Sequence, residues 1–280
     1  MREIDVQHIT DAVANMCIQA NQYLPPDVQT TLHAAQRAEH WPLATRTLAQ
    51  INMNLAQAAD KQLPICQDTG MACVFIELGQ DVHLTGGNLD DAVNEGVRRG
   101  YTEGYLRKSV VQDPIRRGNT GDNTPALLTV HIVPGQQVNI TVAPKGFGSE
   151  NMSRIAMLKP AQGREGVVDF VLETVRLAGP NPCPPIVLGV GIGGSFDKVA
   201  LLAKQALLRP LNQPSQTPYY AQLEAELLEK VNQLGIGPAG YGGKTTALDV
   251  AIETMPTHIA GLPVAVNVSC HATRRASVVL

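Results

Sequence analysis

Short apolar runs alternate with longer amphipathic segments along this chain, and this alternation limits the possible folds most strongly. Ile186–Val190 and Leu262–Val266 have the length of buried strands, and no apolar run is long enough to cross a membrane. Elsewhere apolar residues recur at helical spacing, as at Val168, Val171 and Val175. Strands that are buried on both faces need helices to cover them. The pattern predicts an α/β fold in which a mixed sheet is flanked by helices, with a helical N-terminal segment.

The N-terminal segment and one strand pair show how the elements follow from periodicity. Residues 3–60 have helical spacing that is interrupted at Pro25-Pro26, and Asp27 is expected to cap the next helix. Residues 127–133 and 137–142 are expected to be strands. A Pro-Gly turn signal lies between them, so we expect the two strands to form a hairpin.

No internal repeat or low-complexity segment divides the chain. Residues 209–219 are rich in proline, but helical segments lie close on both sides, so a loop is expected there rather than a boundary. We therefore expect a single domain over residues 1–280. The remaining expected helices are 90–105, 166–177, 195–208 and 220–234, and the remaining expected strands are 72–78, 185–190 and 262–268.

Composition excludes several classes of function. The 280 residues include 22 Lys and Arg and 25 Asp and Glu, which give a net charge of −3 without a long run of like charge. Nucleic-acid-binding and membrane-surface proteins show a basic patch instead. The polar N-terminus does not resemble a signal or transit peptide, and five scattered cysteines argue against a disulfide framework. We expect a cytoplasmic protein, and the low charged fraction of 17 % agrees with a surface covered by a partner.

Two glycine-rich segments resemble nucleotide-binding motifs. Gly189–Gly194 has the spacing of a dinucleotide fingerprint, but no acidic residue lies between Asp197 and Glu224 to bind a ribose. Gly237–Thr245 resembles a phosphate-binding loop, but it has one residue too many, and Pro238 has no N–H to offer a phosphate. We interpret the first segment as a tight strand-to-helix turn and do not expect an ATP site at the second. A nucleotide-binding oxidoreductase subunit remains an alternative.

Three of the five cysteines, Cys66, Cys183 and Cys270, lie among turn-forming residues. Loops of this kind suit side chains that point into a site. Three thiolates would suit an iron–sulfur cluster with one open iron better than structural zinc, which prefers four protein ligands. The alternative is that all three are small buried hydrophobic residues, and spacing alone does not decide. Cys17, on a helix, and Cys73, in a strand, are expected to be buried.

Seven segments carry a resemblance to one protein family. They are Pro64–Gly70, Asn119–Asn123, Lys145–Asn151, Asn181–Pro185, Gly189–Gly193, Leu234–Gly240 and Val268–Ala272. Together they resemble the class I (iron–sulfur) fumarate hydratases, specifically the alpha subunit or N-terminal half. The resemblance extends from about residue 40 to the end of the chain.

This resemblance implies a cofactor and a reaction. Cys66, Cys183 and Cys270 would hold a [4Fe–4S] cluster whose fourth iron binds the substrate as a Lewis acid. The family reaction is the reversible addition of water to fumarate, which gives (S)-malate. Dehydration requires that the leaving hydroxide is stabilised and that a weakly acidic C–H proton is removed. The open iron would supply the first and a positioned base the second.

The resemblance also implies roles for individual residues. Gln67 and Asp68 match a substrate-contacting pair, with Asp68 as the candidate catalytic carboxylate. Arg107 matches an arginine that binds a substrate carboxylate. His258 matches an active-site histidine and is the second catalytic candidate.

A glycine turn and one further histidine complete the expected site. Gly146 and Gly148 match a turn whose N–H groups approach the dicarboxylate, and both are expected to bind substrate. Phe147 departs from an all-glycine version of this turn. His271, which follows Cys270, is a candidate hydrogen-bond donor to a thiolate.

The same resemblance bears on partner and substrate. Single-chain family members are longer, and their second half carries further basic residues and a catalytic hydroxyl. We therefore expect a separate beta subunit to complete the active site. The alpha subunit of L(+)-tartrate dehydratase shares the cysteine framework and is the alternative within the same group of lyases. The segment Lys145–Asn151 resembles the fumarate hydratase version more closely, and this favours fumarate.

Overall fold

A computed structural model describes residues 1–280 and contains eight α-helices and ten β-strands. The helices are α1 (Val6–Gln22), α2 (Pro26–Ala38), α3 (Pro42–Lys61), α4 (Leu89–Glu103), α5 (Phe147–Glu150), α6 (Gly163–Ala178), α7 (Phe196–Ala206) and α8 (Pro218–Asn232). The strands are β1 (Arg2–Asp5), β2 (Met71–Gly79), β3 (Val82–Thr85), β4 (Leu127–Val133), β5 (Val138–Lys145), β6 (Arg154–Leu158), β7 (Ile186–Gly193), β8 (Ala247–Met255), β9 (Leu262–Ser269) and β10 (Ala276–Val279).

The chain divides into two compact units. The first comprises Met1–Pro25, Leu55–Phe147 and Arg274–Leu280, and the second comprises Pro26–Asn54 and Gly148–Thr273. Such a division does not test whether either unit folds alone, so the single domain expected over residues 1–280 remains a prediction.

The first unit is built on a four-stranded sheet in the order β10-β5-β2-β4. Strand β2 pairs parallel with β4 and antiparallel with β5. Helices α1 and α4 pack on this sheet through a core that includes Ile9, Val13, Val97 and Tyr101, all fully buried. A parallel pair, β1 and β3, completes the unit. The apolar spacing of α1 therefore forms the buried face that the sequence predicts.

The hairpin expected from residues 127–133 and 137–142 is wrong. Both segments are strands, but β2 lies between them, and β4 and β5 do not pair. Their connection passes the end of β2 and accepts hydrogen bonds from it and from the turn that follows: Gly79 N–H donates to the Gln137 carbonyl at 2.9 Å and Asp81 N–H to the Gly135 carbonyl at 3.0 Å. A turn signal shows that the chain reverses, but it cannot exclude a third strand between the two.

The second unit is built on a sheet in the order β6-β9-β7-β8, with helices on both faces. Strand β7 is buried along its whole length, parallel to β8 and antiparallel to β9. The apolar faces of α6 and α8 share its main core, while Val199 and Ala203 of α7 pack with Ala265. This arrangement confirms the α/β class and the mixed, helix-flanked sheet.

The N-terminal segment is helical as expected, although a short strand precedes it. Helix α2 begins at Pro26, so Asp27 lies in its first turn rather than at its cap, and that expectation is wrong. The Asp27 carboxylate instead accepts the N–H of Leu211 at 2.7 Å. Leu211 belongs to the loop between α7 and α8, which is the loop expected at residues 209–219. No helix in the structure is long and apolar enough to cross a membrane.

Candidate functional site

A cavity of about 310 Å³ in the first unit contains two of the residues singled out from the sequence. Asp68 and Arg107 both line it, together with Val110, Arg117 and Phe147. Its volume lies in the range of small-molecule sites. A carboxylate and two guanidinium groups therefore border one cavity, which is a combination suited to a small anion that exchanges a proton.

The Asp68 carboxylate is fixed by two backbone donors. Gly70 N–H donates to Oδ1 at 3.0 Å and Phe147 N–H to Oδ2 at 2.8 Å. A Cβ at Gly146 would lie 3.1 Å from Oδ2, closer than most real contacts, so glycine allows the backbone to approach the carboxylate. The turn after β5 therefore holds Asp68, and the N–H that does so belongs to Phe147, the residue that departs from the all-glycine pattern.

A buried polar network supports the loop that carries Asp68. The Tyr101 hydroxyl donates to the carbonyls of Thr69 at 2.8 Å and Gly70 at 3.0 Å. Burial raises the pKa of Tyr101 well above its ordinary value, so the hydroxyl stays protonated and remains a donor. Arg274 donates to the Asp68 carbonyl and to Asn21 Oδ1, both at 2.8 Å. These bonds fix the loop from which Asp68 lines the cavity.

Arg274 is 4 % exposed and makes no ion pair with a carboxylate of this chain. Its Nε is buried without a hydrogen-bond partner. A guanidinium that is buried among neutral partners is costly, because burial removes its hydration. Such a group favours an anion nearby. No sequence motif marks Arg274. It contacts the Asp68 carbonyl because the fold brings together two residues that are far apart in the chain.

The wall of the cavity is tied together by Asn123. Its side chain accepts the N–H of Ser109 at 2.7 Å and of Val110 at 3.2 Å, and it donates to the Gly70 carbonyl at 3.1 Å. Thr69 Oγ1 in turn donates to the Arg107 carbonyl at 2.9 Å. The segment that carries Arg107 is therefore fixed beside the Asp68 loop, although the two are distant in sequence.

The three candidate ligand cysteines are all outside the hydrophobic cores. In the first unit, Cys66 is partly buried, and its Sγ lies 3.3 Å from Gln67 Oε1. In the second unit, Cys183 is exposed at a left-handed φ of 54°, and Cys270 directly follows β9. The ring of His271 contacts the Cys183 carbonyl through Nδ1 at 3.0 Å. His271 thus joins the two cysteine loops of this unit through the Cys183 backbone carbonyl.

Cys17 and Cys73 are buried, as the sequence predicts. Burial raises the pKa of the Cys17 thiol to about 12, so it stays protonated and is a poor ligand. No three His, Cys, Asp or Glu side chains in the structure form a group that could hold a single metal ion.

Two other expected site residues lie in the second unit. His258 is exposed in the loop between β8 and β9, and its Nδ1 accepts the Ala260 N–H at 3.2 Å. Gly148 is exposed in α5, where a Cβ would meet nothing within 4 Å. Neither residue lines the cavity of the first unit.

The first glycine-rich segment is explained by packing. Gly189 and Gly191 lie inside β7, and a Cβ at either would stand 2.1 or 2.2 Å from a carbonyl oxygen of α7. The turn into α7 comes after them, at Gly193 and Gly194, which both have positive φ. These glycines allow the helix to pack closely on the strand, so the spacing does not require a dinucleotide.

The second glycine-rich segment surrounds an internal carboxylate. Glu39 accepts the backbone N–H groups of Lys244 at 2.8 Å and Thr245 at 3.3 Å. Two of the N–H groups that a phosphate would need are therefore already bonded within the chain. This agrees with the expectation that the segment is not an ATP site.

Comparison with known proteins identifies the family. Residues 10–279 match the family described as fumarate hydratase (fumerase). The chain belongs to this family. The names of this family and of its relatives describe lyases that add or remove water, so the chain belongs to a family of hydro-lyases.

Individual relatives of this fumarate hydratase family member are named for tartrate. A Methanocaldococcus jannaschii protein, provisionally named L(+)-tartrate dehydratase subunit alpha, is 42 % identical over 96 % of both chains. The L(+)-tartrate dehydratase subunit alpha of Escherichia coli UTI89 is 35 % identical, over 96 % of this chain and 90 % of its own length. That of strain K12 is 33 % identical, over 98 % and 91 %.

Proposed function

We propose that this chain is the alpha subunit of an iron–sulfur hydro-lyase that catalyses the reversible hydration of fumarate to (S)-malate. The observation that carries the proposal is the Asp68 carboxylate, fixed by two backbone N–H groups at a cavity that Arg107 also lines. A fixed carboxylate can move a proton at a substrate carbon, and a guanidinium can bind a substrate carboxylate in a defined orientation. The family match over residues 10–279 supports this reading.

The roles of the remaining candidates follow the same proposal. Asp68 and His258 are the candidate acid–base residues. Gln67 and Arg107 bind the substrate, and the N–H groups at Gly146 and Gly148 approach its carboxylate. Of these, Gly146 lies next to Asp68 and is the better supported contact.

The residues present fit an iron–sulfur cluster by their chemistry. Cys66, Cys183 and Cys270 lie in loops, form no disulfide and are more accessible than Cys17 and Cys73. In such a cluster each thiolate binds a different iron, so the ligands need not converge on one point as those of a single ion do. We propose that these three cysteines hold a [4Fe–4S] cluster. When bound, it would supply a Lewis acid that stabilises the departing hydroxide.

We further propose that a separate beta subunit completes the active site and that the enzyme is cytoplasmic. The relatives named above are alpha subunits, and their names therefore point to a second kind of chain. The low charged fraction of 17 % agrees with a surface that a partner covers. Neither a nucleic acid nor a membrane is part of this proposal.

L(+)-tartrate is the second candidate substrate, and the names of the relatives favour it. Loss of water from tartrate gives an enol that rearranges to a 2-oxo acid, whereas loss of water from malate gives a stable alkene. The two reactions need the same anion-binding groups and the same proton transfer. Tartrate carries one more hydroxyl group than malate, so specificity between the two substrates depends on the contacts made to that group.

Turnover by the reconstituted enzyme tests the proposal. The chain and its beta subunit would be purified together without oxygen, and initial rates measured with fumarate, mesaconate and L(+)-tartrate. Fumarate hydration is monitored through the loss of ultraviolet absorbance, and tartrate dehydration is monitored through the formation of a 2-oxo acid. The highest kcat/KM with fumarate would support fumarate as the substrate, whereas the highest kcat/KM with L(+)-tartrate would show that tartrate is the substrate instead. Absence of water addition or removal with all three would overturn the hydro-lyase proposal.

A further inference from the structure

The cavity beside Asp68 is lined by Arg117, an arginine to which neither the motifs nor the proposed function gives a role. We propose that Arg117 binds one carboxylate of a dicarboxylate substrate while Arg107 binds the other. The inference deepens the proposed function and rests on it for the class of substrate. It is carried by the conformation of the Arg117 loop, by its attachment to the cavity wall and by the charges at the cavity.

The backbone at Arg117 is held in a costly conformation. Its φ is 66°, in the left-handed region that residues with a side chain seldom adopt. A turn built on Asp113 maintains it. The Asp113 carboxylate accepts the N–H groups of Ile115 at 2.9 Å and Arg116 at 2.6 Å, and its carbonyl accepts the Arg117 N–H at 2.9 Å. Surroundings that maintain such a conformation are typical of functional sites.

The loop that carries Arg117 is also tied to the cavity wall. Val111 and Asn119 form an antiparallel bridge, and Thr120 N–H donates to the Val110 carbonyl at 3.0 Å. Val110 and Val111 themselves line the cavity. The base of the loop is therefore part of the wall, so Arg117 is presented from a fixed position.

The charges at the cavity favour two cationic contacts. Arg107 makes no side-chain hydrogen bond or ion pair within the chain, and the Arg117 side chain makes only a long contact of 3.4 Å to the Pro114 carbonyl. Asp68 is the only acid lining the cavity. With Arg107 alone the lining would be neutral, whereas Arg117 makes it positive by one charge. Other arginines, such as Arg99, are paired with carboxylates.

Dicarboxylates explain why two guanidinium groups are useful here. Each carboxylate of a bound dianion loses water and needs charge-assisted hydrogen bonds in return. The planar fork of arginine matches a carboxylate, and two forks on one cavity select an anion that carries two carboxylates. A monocarboxylate would use only one of them.

Binding of unreactive acids to the full chain tests the proposal without requiring turnover. Succinate carries two carboxylates, and butyrate has the same number of carbons with one. Isothermal titration would give their affinities for the wild type, Arg117→Gln and Arg116→Gln. Arg116 is the matched control, because it is exposed, lies next to Arg117 and does not line the cavity.

We expect Arg117→Gln to weaken succinate binding at least about tenfold, because a charge-assisted pair is lost. The affinity of Arg117→Gln for butyrate, and the affinity of Arg116→Gln for succinate, should each differ from the wild-type value by less than about twofold. Equal succinate affinity in the two variants, or no succinate binding by the wild type, would overturn the proposal. A chain whose succinate binding depends on Arg117, but whose complex with the beta subunit turns over no substrate, would contradict the proposed function and leave this inference standing.

Discussion

At the scale of single residues, burial divides the five cysteines into two groups. Cys17 lies in the core of the first unit and Cys73 is buried in its sheet. Cys66, Cys183 and Cys270 lie in loops instead. Side chains in loops are accessible to a cluster, while a buried thiol with a raised pKa is not. Access therefore separates the candidate ligands from the structural cysteines.

Replacement of one cysteine from each group tests this division. Cys183→Ser should lose most of the bound iron, because its exposed thiol is a proposed ligand, while its circular dichroism stays that of the wild type. Cys17→Ser should retain iron. The measurement is iron content per chain after anaerobic purification. A similar loss of iron in both variants would refute the ligand assignment.

Arg274 is the residue whose role depends most on the fold. Arg274→Met removes the donors to Asn21 Oδ1 and to the Asp68 carbonyl, and it should lower the free energy of unfolding by about 1–3 kcal/mol. Because the Asp68 loop loses support, the amides of residues 65–70 should also exchange faster with solvent. Arg176→Met, at the exposed end of α6, is the control. Unchanged exchange in residues 65–70 would show that Arg274 does not support this loop.

The candidate site could be predicted only in part from the sequence. Asp68 lies in the family-like segment Pro64–Gly70 and Arg107 matches a family arginine, so the resemblance indicates both residues, and both line the cavity. Arg117, Arg274 and Tyr101 were not found. Their contacts with the Asp68 loop or its cavity join residues that are far apart in sequence, and such contacts leave no local pattern.

At the scale of secondary-structure elements, hydrophobic periodicity predicts the buried strands and the long helices well. β7 and β9 are almost wholly buried, and the apolar runs that mark them are uninterrupted. β8 was missed because Asp249 and Glu253 interrupt its apolar residues. The short strands β1, β3 and β10 have too few residues for a period to be recognised. The hairpin error has another cause, since strand order depends on tertiary packing that local patterns do not contain.

The close packing of α7 on β7 gives a prediction at this scale. Gly191→Ala would place a Cβ 2.2 Å from the Val199 carbonyl, so the helix must shift. We expect a loss of about 1–3 kcal/mol in the free energy of unfolding, as for other overpacked interiors. Gly261→Ala is the control in the same unit, because its Cβ would have no neighbour nearer than 3.8 Å. Equal urea midpoints for the two variants would contradict the packing role of Gly191.

Glu39 connects the end of α2 to the second glycine-rich loop and gives a pH dependence. Burial alone would raise the pKa of this carboxyl, but hydrogen bonds from the backbone N–H groups of Trp41, Lys244, His40 and Thr245 outweigh it and hold the pKa below its ordinary value. A carboxyl with a lowered pKa stabilises the folded state above its unfolded pKa and loses this contribution as the pH falls through the folded value.

Comparison with Glu39→Gln measures this contribution. The wild type should be more stable than the variant at neutral pH, by an amount that is constant above about pH 5 and shrinks as the pH falls below 4.5. Thermal unfolding of both proteins between pH 3 and pH 7 is the measurement. A difference in melting temperature that does not depend on pH would show that the ionised carboxylate is not what binds the loop.

At the scale of the whole molecule, the chain contains some but not all groups that the proposed reaction needs. It supplies a fixed carboxylate, two arginines at one cavity and three accessible cysteines. In single-chain members of the family that this chain resembles, further basic residues and a catalytic hydroxyl lie in the second half. Here we expect a separate beta subunit to supply them. We therefore expect full hydratase activity only from the two subunits together, and a purified alpha chain with full activity would contradict this.

Iron and acid-labile sulfide content, together with an EPR spectrum, would show whether this chain binds a [4Fe–4S] cluster. The chain would be purified without oxygen, because a cluster with an open iron is exposed to oxidation. We expect about four iron and four sulfide for each chain, and the EPR signal of a single cluster after one-electron reduction. Absence of iron after anaerobic reconstitution would leave three ordinary cysteines and contradict the assignment of this chain as an iron–sulfur hydro-lyase subunit.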